Sequence, residues 1–521
     1  MQYNFQKITE IIHGKVLLEN TPETKITTLA YDSRILTNAA ETLFFALKGA
    51  KHDGHLHLQE CFLKGVRNFV VSDQNAVDKL PEETKKQSNF TYVVDTKIAL
   101  QQLAVFHRQQ FNLQAIGITG SNGKTVVKEW LNQLLQQDYN IVRSPKSFNS
   151  QIGVPLSVWQ INENHNLGIF EAGISKPGEM QNLAEIIQPT IGIFTNIGEA
   201  HQAHFQNIEH KIQEKLKLFE NSETIIYCTD YDVLEAAILD KKTHENWQTK
   251  AFFGWSLYGN GDINFNILTQ GNQTKITGNF KEINVELLLP FTDKASIENV
   301  LHCAVLLLHL GFDNSTIQQR ISGLQAVEMR LEIKEGINSC TIINDSYSSD
   351  LQSLSIALDT LNQQNQHSQK TLILSDIFES GKSSENLYSE VANLLKQKNI
   401  HNFIGIGNAL TKQSELFPQN SRFYLSTEAF LKEFPADDFY NQAILIKGSR
   451  AFQFEQIARK LQRKAHVTEL QINLSALVHN LNAYRSLLKP ETGIMAMVKA
   501  FSYGSGSFEI ANILQFHKVD Y

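Results

Sequence analysis

Short apolar runs alternate along this chain with longer stretches in which apolar side chains return every third or fourth position. Runs bounded by turn residues predict strands, and the three-to-four spacing predicts helices. Strands of this kind fall at 42–47 (Thr-Leu-Phe-Phe-Ala-Leu), 68–71, 113–119, 167–170, 191–195, 341–343, 371–374 and 443–446. Between them, Leu100, Leu103, Val105 and Phe106 mark an amphipathic helix over 98–111, and further helices are predicted at 126–135, 209–219, 455–464 and from about 295 to 308. Strand and helix in alternation build parallel sheets with helical cover, so the pattern predicts an α/β protein of doubly wound character.

Candidate chemistry concentrates where predicted strands end. The run 113–119 leads into Gly117-Ile118-Thr119-Gly120-Ser121-Asn122-Gly123-Lys124-Thr125 and then into a helix. Glycines let backbone N–H groups turn toward an anion, the helix N-terminus adds partial positive charge, and Lys124 supplies a full one. Thr125 offers a hydroxyl to the Mg²⁺ that accompanies a triphosphate. The strict phosphate-loop pattern has glycine where this chain has Ile118, so the loop is a variant. Glu171 closes the run 167–170, and His201 follows the run 191–195. Ligands bind at such strand ends in open α/β sheets, which makes Glu171, His201 and Thr125 candidate metal ligands beside the phosphates.

Bulk properties narrow the class. At 521 residues the chain exceeds one core, and about 150 residues per domain predicts three or four. Net charge is 47 minus 54, or −7, which argues against a nucleic-acid partner. Cys61, Cys228, Cys303 and Cys340 lack paired metal-ligand spacing and read as buried thiols. The amino terminus has no signal-peptide core and no uncharged apolar run reaches about 18 residues, so no membrane span and a cytoplasmic location are expected.

The loop Thr-Gly-Ser-Asn-Gly-Lys-Thr resembles that of the Mur ligases, which build the peptide stem of cell-wall precursors, and of the related folylpolyglutamate synthases. The resemblance covers about residues 25–455. It implies a small α/β amino-terminal domain (1–95) binding the uridine diphosphate end of a substrate, a central P-loop ATPase domain (96–312) and a carboxy-terminal Rossmann-like domain (313–464). It further implies substrate contacts at Ser33, Asp53 and His55, and ATP contacts at Gly120, Ser121, Asn122, Gly123, Lys124 and Thr125. Asn299 would hold adenine, Arg330 phosphate and Asp345 ribose. Thr125, Glu171, His201 and a carbamylated Lys215 would hold Mg²⁺, with Lys211 and Lys217 as rival positions for the carbamate. Lys124, His201, Lys215 and Arg330 would carry the catalytic role.

Ligases of this family that add the third stem residue usually carry Lys-Gly-His-Glu and Asp-Asn-Pro-Arg. This chain has Lys447-Gly448-Ser449-Arg450 and lacks the second motif. The resemblance therefore points to the branch that joins D-alanyl-D-alanine to UDP-N-acetylmuramoyl-tripeptide, as a monomer. A third-residue ligase, a folylpolyglutamate synthase and a nucleotide-binding scaffold without catalysis stay open as alternatives. From about residue 467, a predicted strand over 493–498, Lys499 and Tyr503 resemble the opening of alanine racemase, a (β/α)₈ barrel that dimerises and holds pyridoxal phosphate through a lysine and a tyrosine. Some 55 residues supply only the first strands and helices of that barrel, so no racemase activity is expected of this piece alone.

Overall fold

The computed structural model describes residues 3–521 except 37, 50, 51, 146, 199–203, 272, 282, 326, 328, 329, 348, 365, 379, 435, 464–471, 490, 505 and 506. The chain divides into two compact units. One holds residues 1–112, 151–164 and 466–521, and the other 113–150 and 165–465.

The first unit is built on a five-stranded sheet in the order Lys15–Leu18, Asn89–Tyr92, Asn68–Val71, Thr42–Phe45, Thr28–Ala30. Four of these strands are parallel and Lys15–Leu18 is an antiparallel edge. The sheet is covered on both sides, which is why Thr42–Phe45 and Asn68–Val71 are buried at every position. One core contains Phe5, Ile8, Leu100, Leu103 and Trp159, and the other Phe44, Leu58, Phe62, Phe69 and Phe90. The helix Thr96–Gln109 starts where the Asp95 carboxylate accepts the N–H groups of Lys97 and Ile98.

In the same unit the helices Leu474–Ser486, Lys499–Gly504 and Ser507–Phe516 are formed. The strand expected over 493–498 is not. That stretch is joined to residues 520–521 by the N–H of Ala496 on the Tyr521 carbonyl (2.8 Å) and the N–H of Asp520 on the Ile494 carbonyl (3.1 Å). A strand requires a ladder of successive pairs, and these contacts stop short of one.

The second unit contains two sheets. The larger has nine strands in the order Ile283–Leu289, Gln273–Phe280, Ile263–Gln270, Ala251–Ser256, Thr224–Cys228, Ile191–Phe194, Gln114–Thr119, Leu167–Glu171, Ile141–Arg143. It is parallel except where the hairpins of 263–289 extend it. The helices Lys124–Leu135 and Lys294–His309 share its main core. In Lys294–His309 every residue from Ile297 to Leu308 is buried, as expected of a helix apolar on most sides. Each fully buried Leu or Val contributes roughly 1.5–3 kcal/mol.

The smaller sheet has six strands in the order Glu332–Glu335, Thr341–Asp345, Gln442–Lys447, Gln369–Ser375, Asn402–Ile406, Arg422–Tyr424. All but the first neighbour pair are parallel. This is the second alternating α/β domain that the sequence predicts. The four cysteines are free and buried. No helix among the described residues is long and apolar enough to cross a membrane.

Candidate active site

The strand Gln114–Thr119 delivers the chain into a loop that only glycine can make. Gly120 and Gly123 have φ of +143° and +84°, a region that L side chains avoid. A β-carbon would fall 2.0 Å from Thr195 Oγ1 at Gly120 and 2.3 Å from Asn299 Oδ1 at Gly123. The loop is fastened to the neighbouring strand end: Ser121 N–H donates to the Asn196 carbonyl (2.9 Å) and Asn122 N–H to Asn196 Oδ1 (2.8 Å). No side chain caps the helix Lys124–Leu135, so its first turn presents N–H groups and the positive end of its dipole to the loop.

Lys124 curls back over this turn, its Nζ donating to the carbonyls of Gly120 (2.8 Å) and Ser121 (3.0 Å). Burial pushes its ammonium down to about 8, against the pull of Glu171. A cation held by two carbonyl oxygens is ready to exchange them for phosphate oxygens. Thr125 Oγ1 donates to Glu171 Oε2 at 3.0 Å and lies 3.0 Å from Ser147 Oγ. Glu171 is fully buried at its strand end, and its Oε1 stands 3.0 Å from Nζ of Lys128, which is equally buried. Lys128 Nζ also lies 2.9 Å from Glu129 Oε1 and donates to the Ser144 carbonyl at 2.9 Å. Sequence reasoning missed Lys128. The available signal was its place one helical turn after Lys124 and Thr125, on the same helix face.

Of the three lysines open to carbamylation, Lys215 is the one at the loop. It is buried and donates to the Gly120 carbonyl at 3.1 Å. Burial first, and the positive charges of Lys124 and Lys211 after it, hold its amine well below the usual lysine range. A neutral amine is the form that adds carbon dioxide. Lys211 donates instead to the Gly198 carbonyl, and Lys217 pairs with Glu214 at 2.6 Å. Thr125 and Glu171 present the hard oxygen donors that suit Mg²⁺. His201 lies outside the described residues, and among those described no group of three or more His, Cys, Asp or Glu side chains gathers at one point.

Of the residues expected to bind ATP, all but Gly120 line one cleft of about 1310 Å³. Ser121, Asn122, Gly123, Lys124, Thr125, Asn299, Arg330 and Asp345 all line it. Asn299 is buried within the helix Lys294–His309, whose N-cap is Asp293. Arg330 stands over the Tyr347 ring, 4.2 Å from its centroid. Asp345 Oδ2 accepts from Lys447 Nζ at 2.7 Å, where Lys447 is fully buried and directly opposite Asp345 in the parallel ladder. Trp130 and Phe291, stacked 4.9 Å apart, add an apolar wall that the sequence did not mark.

The remaining candidates lie in the first unit. Ser33 is buried and its carbonyl accepts from Lys64 Nζ at 2.9 Å. Asp53 begins the short helix Gly54–His57. His55 has both ring nitrogens engaged: the Ser72 N–H donates to Nε2 (3.0 Å), which leaves the proton on Nδ1 for Asp53 Oδ1 (2.6 Å). Its imidazole thus shapes this loop from within. Lys499 is exposed at the start of the helix Lys499–Gly504. Tyr503 lies in that helix, its side chain outside the described set.

A variant phosphate loop between parallel strands, facing a second α/β sheet across a shared cleft, defines an ATP-dependent ligase fold. Residues 118–307 match the profile of the Mur ligase middle domain, and residues 472–521 that of the alanine racemase N-terminal domain. The UDP-N-acetylmuramoyl-tripeptide--D-alanyl-D-alanine ligase of Bacillus subtilis (strain 168) is 28% identical over 466 residues, covering 88% of this chain and 97% of that protein. The ligase of the same description from Escherichia coli (strain K12) is 26% identical over 472 residues, covering 88% and 97%. Among solved structures, MurF from Acinetobacter baumannii superposes with a TM-score of 0.73 at 21% identity, covering 88% of this chain and 99% of that one. The MurF ligase from Thermotoga maritima in complex with ADP gives 0.67 at 18%, covering 83% and 96%.

The chain belongs to the Mur ligase family. Within it, the chain falls in the MurF branch, and it continues past the ligase into the start of an alanine racemase domain.

Proposed function

We propose that the protein joins D-alanyl-D-alanine to UDP-N-acetylmuramoyl-tripeptide, converting ATP to ADP and phosphate, as a step in making peptidoglycan precursors in the cytoplasm. The convergence of Lys124, Thr125, Asn299, Arg330 and Asp345 on one cleft carries this reading. The terminal carboxylate of the tripeptide attacks the γ-phosphorus of ATP, the bond to the bridging oxygen breaks, and ADP leaves. The dipeptide amine then attacks the acyl carbon, loses a proton and expels phosphate, which leaves an amide.

The chain's residues hold charge and geometry rather than forming bonds. Lys124 gives up its carbonyl partners for phosphate oxygens, and Arg330, kept planar against Tyr347, faces the charge that grows on the transferred phosphoryl group. Thr125 and Glu171, with His201 and a carbamylated Lys215, would hold Mg²⁺, whose charge offsets that of the phosphates when bound. Residues 1–95 take the uridine end and 96–312 the ATP, with Arg330 and Asp345 of 313–464 completing its site, and the ligase acts as a monomer. For pyridoxal phosphate, Lys499 is exposed and the strand expected before it is not formed. Residues 472–521 are therefore assigned no racemase step.

ADP release measured against a panel of amine acceptors tests the proposal. D-Alanyl-D-alanine should support turnover in the wild type, and Lys124→Ala should abolish it while circular dichroism stays unchanged. Near-normal turnover by Lys124→Ala removes the mechanism. Preference for a third-residue amino acid or glutamate points to the other branches, and ATP binding without acceptor-dependent turnover points to a scaffold.

A further inference from the structure

A side chain from the domain of the smaller sheet reaches across to the phosphate loop. The chain leaving the strand Thr341–Asp345 turns into the helix Leu351–Asn362, whose start is fixed by a reciprocal cap between Asp350 and Ser353. Leu354, Leu358 and Leu361 bury one face of that helix in the core of the smaller sheet. Gln352, in its first turn, spans two elements of the larger sheet with its amide. Asn122 Nδ2 donates to Gln352 Oε1 at 3.5 Å, and Gln352 Nε2 donates to the Ile197 carbonyl at 3.4 Å. These partners lie 230 and 155 residues away along the chain.

The place that receives Gln352 fits it by volume as well. Gly198 is buried, and a β-carbon there would fall 1.4 Å from Gln352 Oε1 and 2.3 Å from its Cδ. The φ of Gly198 lies outside the left-handed region, so the need for glycine comes from the neighbour that fills the space and not from the turn itself. The receiving surface is tied to the phosphate loop. Gly198 N–H donates to Ser121 Oγ at 2.9 Å, Asn122 N–H donates to Asn196 Oδ1 at 2.8 Å, and Thr195 Oγ1 donates to the Asn122 carbonyl. Asp350 and Ser353 line the cleft on either side of Gln352 in the sequence, whereas Gln352, Ile197 and Gly198 do not. Gln352 therefore stands behind the cleft wall and joins its two halves.

Resting on the ligase reading above, we infer that Gln352 is a positioning residue for phosphoryl transfer, a clasp that keeps the strand end bearing Asp345 and Tyr347 in register with the phosphate loop. Lys124 and Thr125 act from the larger sheet and Arg330 and Asp345 from the other side of the cleft. Groups that act on one triphosphate from two sheets lose their alignment when the sheets shift. Lys124, Thr125 and the N–H groups of the loop seat the triphosphate without the clasp, so its loss falls on kcat.

Steady-state kinetics of ADP release test the clasp. A neutral hydrogen bond is worth a factor of about two to ten, so Gln352→Ala should lower kcat about five- to a hundredfold and leave the ATP KM within about twofold of wild type. Gln352→Met fills the same volume without either bond and should be equally slow. Gly198→Ala takes the receiving space from the other side and should be slow too, and adding it to Gln352→Ala should cost little more. Near-normal kcat in Gln352→Met, an ATP KM that rises as far as kcat falls, or additive losses in the double variant would overturn the clasp and leave the ligase reading standing. Hydrogen exchange reads the same contact without turnover. In Gln352→Ala the amides of Ser121 and Asn122 should exchange faster together with those of 351–354, and a change confined to 351–354 overturns the clasp. If wild type releases no ADP with any acceptor, the ligase reading falls and takes the role in phosphoryl transfer with it, while exchange still decides whether Gln352 joins the two sheets.

Discussion

Lys128→Met should cost the second unit about 3–5 kcal/mol, the usual penalty for breaking a buried ion pair from one side. Lys128 and Glu171 are both fully buried, with Nζ and Oε1 3.0 Å apart. At that separation and an effective dielectric near 20, their attraction is roughly 5 kcal/mol. Methionine keeps most of the apolar stem in place, so little of the loss is packing. What remains is a buried carboxylate without its ion-pair partner, along with a Ser144 carbonyl that loses the Lys128 ammonium as a donor. Thermal unfolding followed by circular dichroism reads the effect. The second unit spans residues 113–150 and 165–465, and at about 2.1 cal/mol/K of unfolding entropy per residue each kcal/mol moves its transition by about 1.4 °C, so it should fall by at least about 4 °C. Saturating Mg²⁺ should recover part of this, since a divalent cation at Glu171 replaces the missing charge and binds only the folded state. Adding Glu171→Gln to Lys128→Met should cost less than the sum of the single changes, because the charge left stranded by the first is removed by the second. A loss under about 1 kcal/mol, or strict additivity, would mean that Lys128 does not aim the Glu171 carboxylate at Thr125.

Acid should weaken the second unit through His302, and Lys215 should prove indispensable to turnover. The Trp255 indole N–H donates to His302 Nδ1 (3.1 Å), and His302 Nε2 donates to the Thr195 carbonyl (2.8 Å). Burial pushes this imidazole down to about 4. The unfolded chain takes up a proton near 6.5 that the folded chain refuses. The stabilisation is therefore whole above pH 6.5 and is lost as pH falls toward 4, by about 3 kcal/mol in all. The difference between wild-type and His302→Gln melting curves from pH 7 to 4 should show this slope, and parallel curves would exclude it. For Lys215, ADP release should fall at least about a hundredfold in Lys215→Ala and recover in part with added bicarbonate or chloride. Full activity without rescue would count against a carbamate.

The elements that meet at the cleft could be read from the sequence because their signals are local. Gly120 to Thr125 declare a phosphate loop by composition and by position between a strand and a helix. Glu171 is marked by standing where an apolar run ends. Two kinds of feature were not legible. One is the fate of 493–498, whose residues have strand pattern while a strand's existence depends on neighbours. The other is pairing across the sheets: nothing near Lys128 names Glu171, and 102 residues separate Asp345 from Lys447. His55 is a third case, since its Asp-Gly-His setting is visible in the sequence while the Ser72 N–H on its ring is brought close only by the fold.

The two hidden pairs share a logic. Each places a buried lysine behind a carboxylate at a strand end, Lys128 behind Glu171 in the larger sheet and Lys447 behind Asp345 in the smaller. Such pairs add little net stability, because desolvation offsets most of the attraction. Their effect is directional. With one oxygen fixed from behind, the rest of each carboxylate is turned toward Thr125 or toward the cleft, and a polar ligand meets it already oriented. Catalysis by alignment requires side chains that do not reorganise when charge moves, so a ligase that forms no covalent bond to its own residues places its buried ion pairs at the strand ends.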